Sequence, residues 1–333
     1  MKKFAVKKPI LIYGTGNGAS VLIHFLKNQG KIISDVAVSD EFARGQIFEG
    51  FEVKKISEAL KKSEDFSIFV SFGSDRDDVI DYVSQLNEKY DLYVPEIPLN
   101  GNFFDEDKYI EEKAEIDFCR SLFADEYSKK LYDSMIKYKL KNRFDDLMKY
   151  TQSRAESLNL LSLNPDMIYA DLGAYRGDTL YNFKKIYAFE PASKNIKHLI
   201  LKAEKINADI TVIEKAVSDK TGYQFLSSDN GRGAKITDRG LEVETISLDE
   251  YFENKKLDFI KMDIEGQEKK ALMGAKKVIV KNRPSMLISA YHYTDDFYKI
   301  PLLINDFYKN IKIYLRREKC FPSWELNLYI KPE

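Results

Sequence analysis

Ala170-Asp171-Leu172-Gly173-Ala174-Tyr175-Arg176-Gly177-Asp178-Thr179 is the stretch on which the fold turns. It continues an apolar run that begins at Met167, so a buried strand gives way to a glycine-rich bend within a few residues. Such a bend after a strand is the local structure with which doubly wound parallel sheets hold a nucleotide at their carboxyl edge. Carboxylates distinguish this one. A pyrophosphate brought between Asp171 and Asp178 would meet like charge, whereas a ligand carrying an ammonium or sulfonium would be stabilised. The turn is therefore expected to prefer a cationic cofactor.

Two further loops downstream fit the same ligand. Phe189-Glu190-Pro191 closes the next apolar run, Ile186 to Glu190, and sets Glu190 where a carboxylate accepts two ribose hydroxyls. Lys215-Ala216-Val217-Ser218-Asp219 follows the run Ile210 to Ile213 and offers small apolar side chains to an adenine. One cationic ribonucleoside explains all three loops in order. Strands are also expected at Val243 to Ile246, Leu257 to Asp263 and Ser285 to Ala290, with Ile311 to Leu315 and Glu325 to Ile330 as an antiparallel pair ending the sheet.

These residues carry a family resemblance. Asp171 to Thr179, Ala188-Phe-Glu-Pro191, Ala216-Val-Ser-Asp219, Ser247-Leu-Asp-Glu250, Asp258-Phe-Ile-Lys-Met-Asp263-Ile-Glu265-Gly266-Gln-Glu268, Gly274-Ala275, Tyr291-His292, Asp296 and Ile300-Pro301 together resemble the S-adenosylmethionine-dependent methyltransferases of the FkbM type. The resemblance covers about 125–330, and its most specific part is the run through Asp263 and Glu265. It implies a class I, Rossmann-like methyltransferase domain with S-adenosylmethionine as cofactor. The residues offered to that cofactor are Asp171, Gly173, Ala174, Tyr175, Gly177, Asp178, Thr179, Glu190, Pro191, Ala216, Val217 and Asp263. The implied reaction is O-methylation of a sugar hydroxyl, on a nucleotide-linked acceptor, in surface-polysaccharide or glycoconjugate biosynthesis. Ser289-Ala290 departs from the residues many members carry before the histidine.

Methyl transfer is an in-line displacement, and a hydroxyl acceptor must also lose a proton. Asp263 and Glu265 end one strand and, two residues apart in extended chain, project to one face. They could position a diol, act as base, or share a divalent ion with His292, a metal site that is left open. His292 follows the next strand and is the histidine placed to act as a base near neutral pH or to serve structurally. Glu265 could instead cap the helix after Gly266. His24 and His198 are expected to be ordinary helix residues. Arg232 and Lys235, in the polar loop Ser227 to Arg239, are candidates for a phosphorylated acceptor.

The first hundred residues repeat strand–helix alternation around a second, different glycine turn, Tyr13-Gly14-Thr15-Gly16-Asn17-Gly18-Ala19-Ser20. No carboxylate interrupts its glycines, and Asp40 closes the next strand, where it could accept ribose hydroxyls. Nucleotide binding, a turn kept only for the fold, and NAD(P) redox chemistry are all compatible with it. This segment is similar to the small Rossmann-like domain found ahead of bacterial sugar-modifying enzymes. Between the two alternating segments, Leu131, Met135 and Tyr138, then Phe144, Leu147 and Met148, recur at helical spacing. The expected organisation is a Rossmann-like N-terminal domain at 1–112, a helical connector at 113–163 and the methyltransferase domain at 164–333.

Composition sets the outer limits. The chain has 333 residues, 44% hydrophobic and 32% charged, with a net charge of −1, the balance of a globular protein. No excess of positive charge draws it to nucleic acid or an anionic membrane. No apolar run approaches a membrane span, and Cys119 and Cys320 form no disulfide framework, which fits the cytoplasm. The lysine pairs Lys54-Lys55, Lys61-Lys62, Lys184-Lys185, Lys269-Lys270 and Lys276-Lys277 have acids nearby and read as solvated helix faces. The expected partner is a small-molecule acceptor, with a homo-oligomer left open. The rival readings are an NAD(P)-linked oxidoreductase working from Gly14 to Gly18 and a non-catalytic nucleotide-binding protein on a methyltransferase fold.

Overall fold

The structure, a computed structural model, describes residues 4, 6–62, 65–227, 236, 237 and 239–333. The chain forms two compact units. Met1–Ala114, Lys129–Gln152 and Arg317–Glu325 make the first, and Glu115–Ser128, Ser153–Arg316 and Leu326–Glu333 make the second. Among the described residues no helix is long and apolar enough to cross a membrane.

The first unit carries strands β1 (Ile10–Tyr13), β2 (Ile33–Val38), β3 (Ile47–Phe48), β4 (Phe51–Lys55), β5 (Ser67–Val70) and β6 (Asp91–Tyr93), in the sheet order β3-β4-β2-β1-β5-β6. All neighbouring pairs are parallel except β3 with β4. That hairpin escapes the sequence reading because its turn is Glu49-Gly50, both at positive φ (50° and 85°), rather than the usual Asn-Gly or Asp-Gly. Completely buried β1 lies at the centre, and the helix Asn17–Asn28 that follows buries Ala19, Leu22, Ile23 and Leu26 at helical spacing. Gly18 allows that helix to approach β5 closely, since a Cβ there would lie 2.9 Å from the Ser71 carbonyl oxygen.

Buried polar contacts hold the later segments in this unit. Lys139 pairs with Glu96, and the Ser323 hydroxyl donates to the same carboxylate at 2.5 Å. Tyr138 donates to the Val94 carbonyl at 2.9 Å, and fully buried Arg317 donates to the Leu147 carbonyl at 2.9 Å. Leu131, Met135, Tyr138, Phe144 and Leu147 are buried as their periodicity predicts.

The second unit carries β7 (Ile168–Leu172), β8 (Lys185–Phe189), β9 (Asp209–Ile213), β10 (Ala216–Val217), β11 (Gly222–Leu226), β12 (Ile236–Thr237), β13 (Leu241–Ile246), β14 (Phe259–Met262), β15 (Ser285–Ser289), β16 (Ile311–Arg317) and β17 (Leu326–Pro332). Its main sheet has the order β16-β17-β15-β14-β7-β8-β9. The run from β15 to β9 is parallel, and β17 is antiparallel to β15. A smaller sheet, β10-β13-β11-β12, stands beside it in the sequence order. Tyr169 on β7 stacks on Phe259 of β14 with ring centroids 4.9 Å apart, which fastens the two central strands. The chain leaves β7 towards β8 on one side and returns to β14 on the other, so the switch point of the sheet lies at their carboxyl ends. That edge receives the glycine turn, Glu190, Asp263 to Glu268, and His292.

Candidate active site

Asp171 is wholly buried near the end of β7. Thr179 Oγ1 donates to its Oδ2 at 2.7 Å, and Lys261 Nζ lies 3.2 Å from its Oδ1. Lys261 is the register partner of Asp171 on β14, is also buried, and donates to the Gly173 carbonyl at 3.0 Å. Burial pushes the Asp171 carboxyl up and Lys261 pulls it back in part; the ammonium is held charged, against its own burial, by Asp171 and then Asp263. The expectation that Asp171 confronts the ligand as a bare carboxylate is thus corrected. Its charge is compensated inside the protein, and exposed Asp178 is the acid of the turn that solvent reaches. Lys261 was a residue sequence reasoning passed over. The available signal was a lysine in an otherwise apolar strand, Phe259-Ile260-Lys261-Met262, which requires a buried counter-charge.

The turn itself is shaped by close approach. Gly173 (φ 78°) faces β14, where a Cβ would lie 2.1 Å from the Asp263 carbonyl oxygen, and Gly177 has φ 83°. Tyr175 also adopts positive φ (49°), with its N–H donating to Glu190 Oε2 at 3.0 Å. Glu190 Oε1 accepts from Ala192 N at 3.0 Å and from Asn195 Nδ2 at 3.2 Å. Burial pushes the Glu190 carboxyl up, and these donors oppose the shift. Oε2 keeps acceptor capacity beyond the single Tyr175 N–H, and Asn195 Oδ1 is buried with no hydrogen-bond partner among the described residues. Pro191 is half-buried, and Ala216 and Val217 are buried. Gly274 packs against that last segment, since a Cβ there would lie 2.2 Å from the Ser218 carbonyl oxygen.

At the ends of β14 and β15 the structure brings together Asp263, Glu265 and His292 and adds Glu268, although β14 ends at Met262 and Glu265 lies in a turn rather than in extended chain. His292 is 1% exposed. Its Nδ1 lies 3.0 Å from Glu268 Oε1, while Nε2 lies 3.5 Å from Asp263 Oδ1 and 3.7 Å from Glu265 Oε2. Glu268 Oε1 also accepts the Ile264 N–H at 2.9 Å and the Gly266 N–H at 3.4 Å. Glu268 therefore fastens the turn ahead of its own helix, which has no side-chain cap, and Glu265, considered for that capping role, turns at φ 55° with its side chain about one-third exposed (31%). The sequence assigns Glu268 no separate role, and only the fold shows its burial.

Charge in this cluster departs from the sequence expectation. Burial pushes the His292 imidazole down, but Glu268, then Asp263 and Glu265, outweigh it and raise it to about 10, so the ring is not a base of ordinary neutral range. Asp263 is opposed by its burial yet held below the usual carboxylate range by Lys261 and then His292. Tyr291 OH approaches Asp263 Oδ1 at 3.4 Å. Lys269 lies 3.0 Å from Asp295 and 2.9 Å from buried Asp296, so this lysine has specific partners rather than a merely solvated face.

The remaining candidates lie elsewhere or serve locally. His24 is 3.2 Å from Glu49 and exposed, and His198 is exposed on its helix. Asp40 follows β2 in a short 3-10 turn, where its carboxylate takes the Ser57 N–H at 3.2 Å and hydroxyl at 2.6 Å. Arg232 and Lys235 lie outside the described residues.

The second unit thus has the sheet order and carboxyl-edge site of a class I, Rossmann-like methyltransferase. Residues 171–318 match the family model of the methyltransferase FkbM domain. No curated protein matches the chain. The solved methyltransferase FkbM from Methylobacillus flagellatus KT aligns with 97% of this chain and 90% of its own, at 18% identity and a TM-score of 0.76, and so shares the fold. SMU.1697c from Streptococcus mutans, solved in complex with SAH, aligns with 54% of this chain and 97% of its own, at 14% identity and a TM-score of 0.35.

Proposed function

We propose that the chain is an S-adenosylmethionine-dependent O-methyltransferase whose acceptor is a sugar hydroxyl, carried on a nucleotide and destined for surface polysaccharide or another glycoconjugate. The observation that carries this reading is the meeting, on one sheet edge within the family-matched stretch, of a Glu190–Asn195 acceptor pair and a cluster of carboxylates around His292. The residues fit an adenosyl ligand. Glu190 Oε2 and the orphaned Asn195 Oδ1 have acceptor capacity for ribose hydroxyls, Ala216 and Val217 supply a small apolar wall, and exposed Asp178 supplies negative charge for an amino group. When bound, the cofactor supplies an electrophilic methyl group on a sulfonium centre.

The chain's own part is to orient the acceptor and accept its proton. Asp263 and Glu265 are partly exposed carboxylates on adjoining positions, suited to hold a vicinal diol and to take the proton from one of its hydroxyls. Tyr291, beside Asp263, offers an aromatic face and a hydroxyl to a sugar ring. In the N-terminal unit, Gly14 to Gly18 follow a central parallel strand and begin a helix, a setting suited to a nucleotide phosphate. A cytoplasmic setting agrees with Cys119 and Cys320, buried thiols that form no disulfide.

The test offers the full chain S-adenosylmethionine and a panel of nucleotide sugars, with products read by mass spectrometry. A methylated nucleotide sugar is the expected result. A melting temperature raised by NAD(P) and unmoved by S-adenosylhomocysteine, with no methylated product, would replace this reading with the oxidoreductase one.

A further inference from the structure

We propose that Asp263, Glu265 and His292 Nε2 form a binding site for one divalent cation, with Glu268 as the positioning residue that aims the imidazole. The binding claim stands on the geometry, and only its use in activating an acceptor rests on the methyltransferase reading. The contacts of Nε2, 3.5 Å to Asp263 and 3.7 Å to Glu265, exceed the usual length of an N–H···O hydrogen bond, about 2.7 to 3.2 Å. Ligands about 2.1 Å from a common centre lie roughly 3.0 to 3.5 Å apart, so Asp263 already stands at that separation from Nε2, while Glu265, at 3.7 Å, would have to move inward to share the ion.

Glu268 supplies an independent observation. Glu268 Oε1, 3.0 Å from Nδ1, sits on the far side of the ring from the two carboxylates that Nε2 faces, and a cation bound between them would displace the Nε2 proton. The same oxygen takes the Ile264 and Gly266 N–H groups, so one buried carboxylate fixes both the imidazole and the turn that presents Glu265. Its other oxygen, Oε2, is buried with no hydrogen-bond partner among the described residues. Donor atoms of Asp263, Glu268 and His292 all lie within 4.8 Å of one another, which keeps this carboxylate within reach of the ion.

One imidazole with carboxylates suits Mn2+ and similar first-row cations, and the side chains of Asp263 (35% exposed) and Glu265 (31% exposed) leave an entry from solvent. Coordination positions on the open side would be filled by water or by two acceptor hydroxyls. A hydroxyl bound there loses its proton more readily, to Asp263, Glu265 or solvent.

The experiment titrates the full chain, stripped with chelator, with Mn2+ alone, following free Mn2+ by electron paramagnetic resonance, and measures S-adenosylhomocysteine affinity by calorimetry on the same samples. One Mn2+ per chain is expected, weakened at least about tenfold in Glu265→Gln and His292→Gln, and about 10- to 100-fold in Glu268→Gln. Mg2+ should compete. Retained S-adenosylhomocysteine binding certifies that each variant is folded. Absence of Mn2+, Mg2+ and Zn2+ binding at millimolar concentration, with the nucleoside still bound, overturns the metal site and leaves the methyltransferase reading intact. Mn2+ binding that ignores Glu265 and His292 also overturns it. His292-dependent Mn2+ binding without affinity for the nucleoside supports the site and instead removes the cofactor reading.

Discussion

Lys261 Nζ lies 3.2 Å from Asp171 Oδ1 in a place closed to solvent, with the ammonium also donating to the Gly173 carbonyl at 3.0 Å. One side chain from β14 therefore fastens the glycine turn that follows β7. Removing it strands a buried carboxylate, and loss of one partner of such a pair costs about 3–5 kcal/mol. Lys261→Met is expected to lower stability on that scale and to weaken S-adenosylhomocysteine binding through the turn. Adding Asp171→Asn should restore much of the stability, because no uncompensated charge then remains. Urea denaturation of the two variants and the double variant checks this.

The glycines of the two turns should respond unequally. Gly173→Ala places a Cβ against the Asp263 carbonyl and demands positive φ, for an expected loss of about 1–3 kcal/mol. Gly16→Ala has open space around the new methyl and an ordinary extended backbone (φ −95°), so its loss should stay below about 1 kcal/mol. Thermal melts of both variants, compared at one pH, test the contrast. Equal losses would contradict it.

Glu190 serves the turn and, in the proposed reading, the ribose. Glu190→Ala should weaken S-adenosylhomocysteine binding by roughly 1–3 kcal/mol, the scale of hydrogen bonds to a charged group. Unchanged affinity by calorimetry would move the nucleoside away from β8.

Acid sensitivity should come partly from Asp125. Burial opposes its ionised form, but the Arg316 guanidinium, 2.5 Å away, and Ser128 hold its carboxyl below the usual range. A depressed folded-state value means stabilisation that is present above the unfolded value, near 3.8, and lost as pH falls through the folded one. Asp125→Asn is therefore expected to be less stable than the parent at pH 7, with the difference shrinking below about pH 4. Denaturation midpoints across that range decide the sign.

Much of this was legible because the relevant signals are local. Strand–glycine–helix order locates both turns, and the apolar run Phe259 to Met262 places Asp263 at a strand end, whereas Glu265 reaches the same cluster through a left-handed turn. The charge logic was less legible. Asp171 reads as a ligand-facing acid until β14 is laid beside β7 and Lys261 appears as its register partner. Glu268 is hidden for a related reason: its two donors are Ile264 and Gly266 and its charge contact is the distant His292, which no spacing rule links to a helix start. The Glu49-Gly50 hairpin was missed because the turn depends on a glutamate adopting positive φ, which residue preference does not announce.

The contact of Ser323 with Glu96 has a consequence for the order of biosynthesis. Lys139, Arg317 and Ser323 all belong to the unit that contains β1, so that unit cannot complete its buried polar contacts from its first hundred residues. A nascent chain can pair the strands of the early sheet, but Glu96 lacks the Ser323 hydroxyl until residue 323 has emerged from the ribosome. The last buried polar contacts of the early unit therefore close only after translation of the whole intervening sequence.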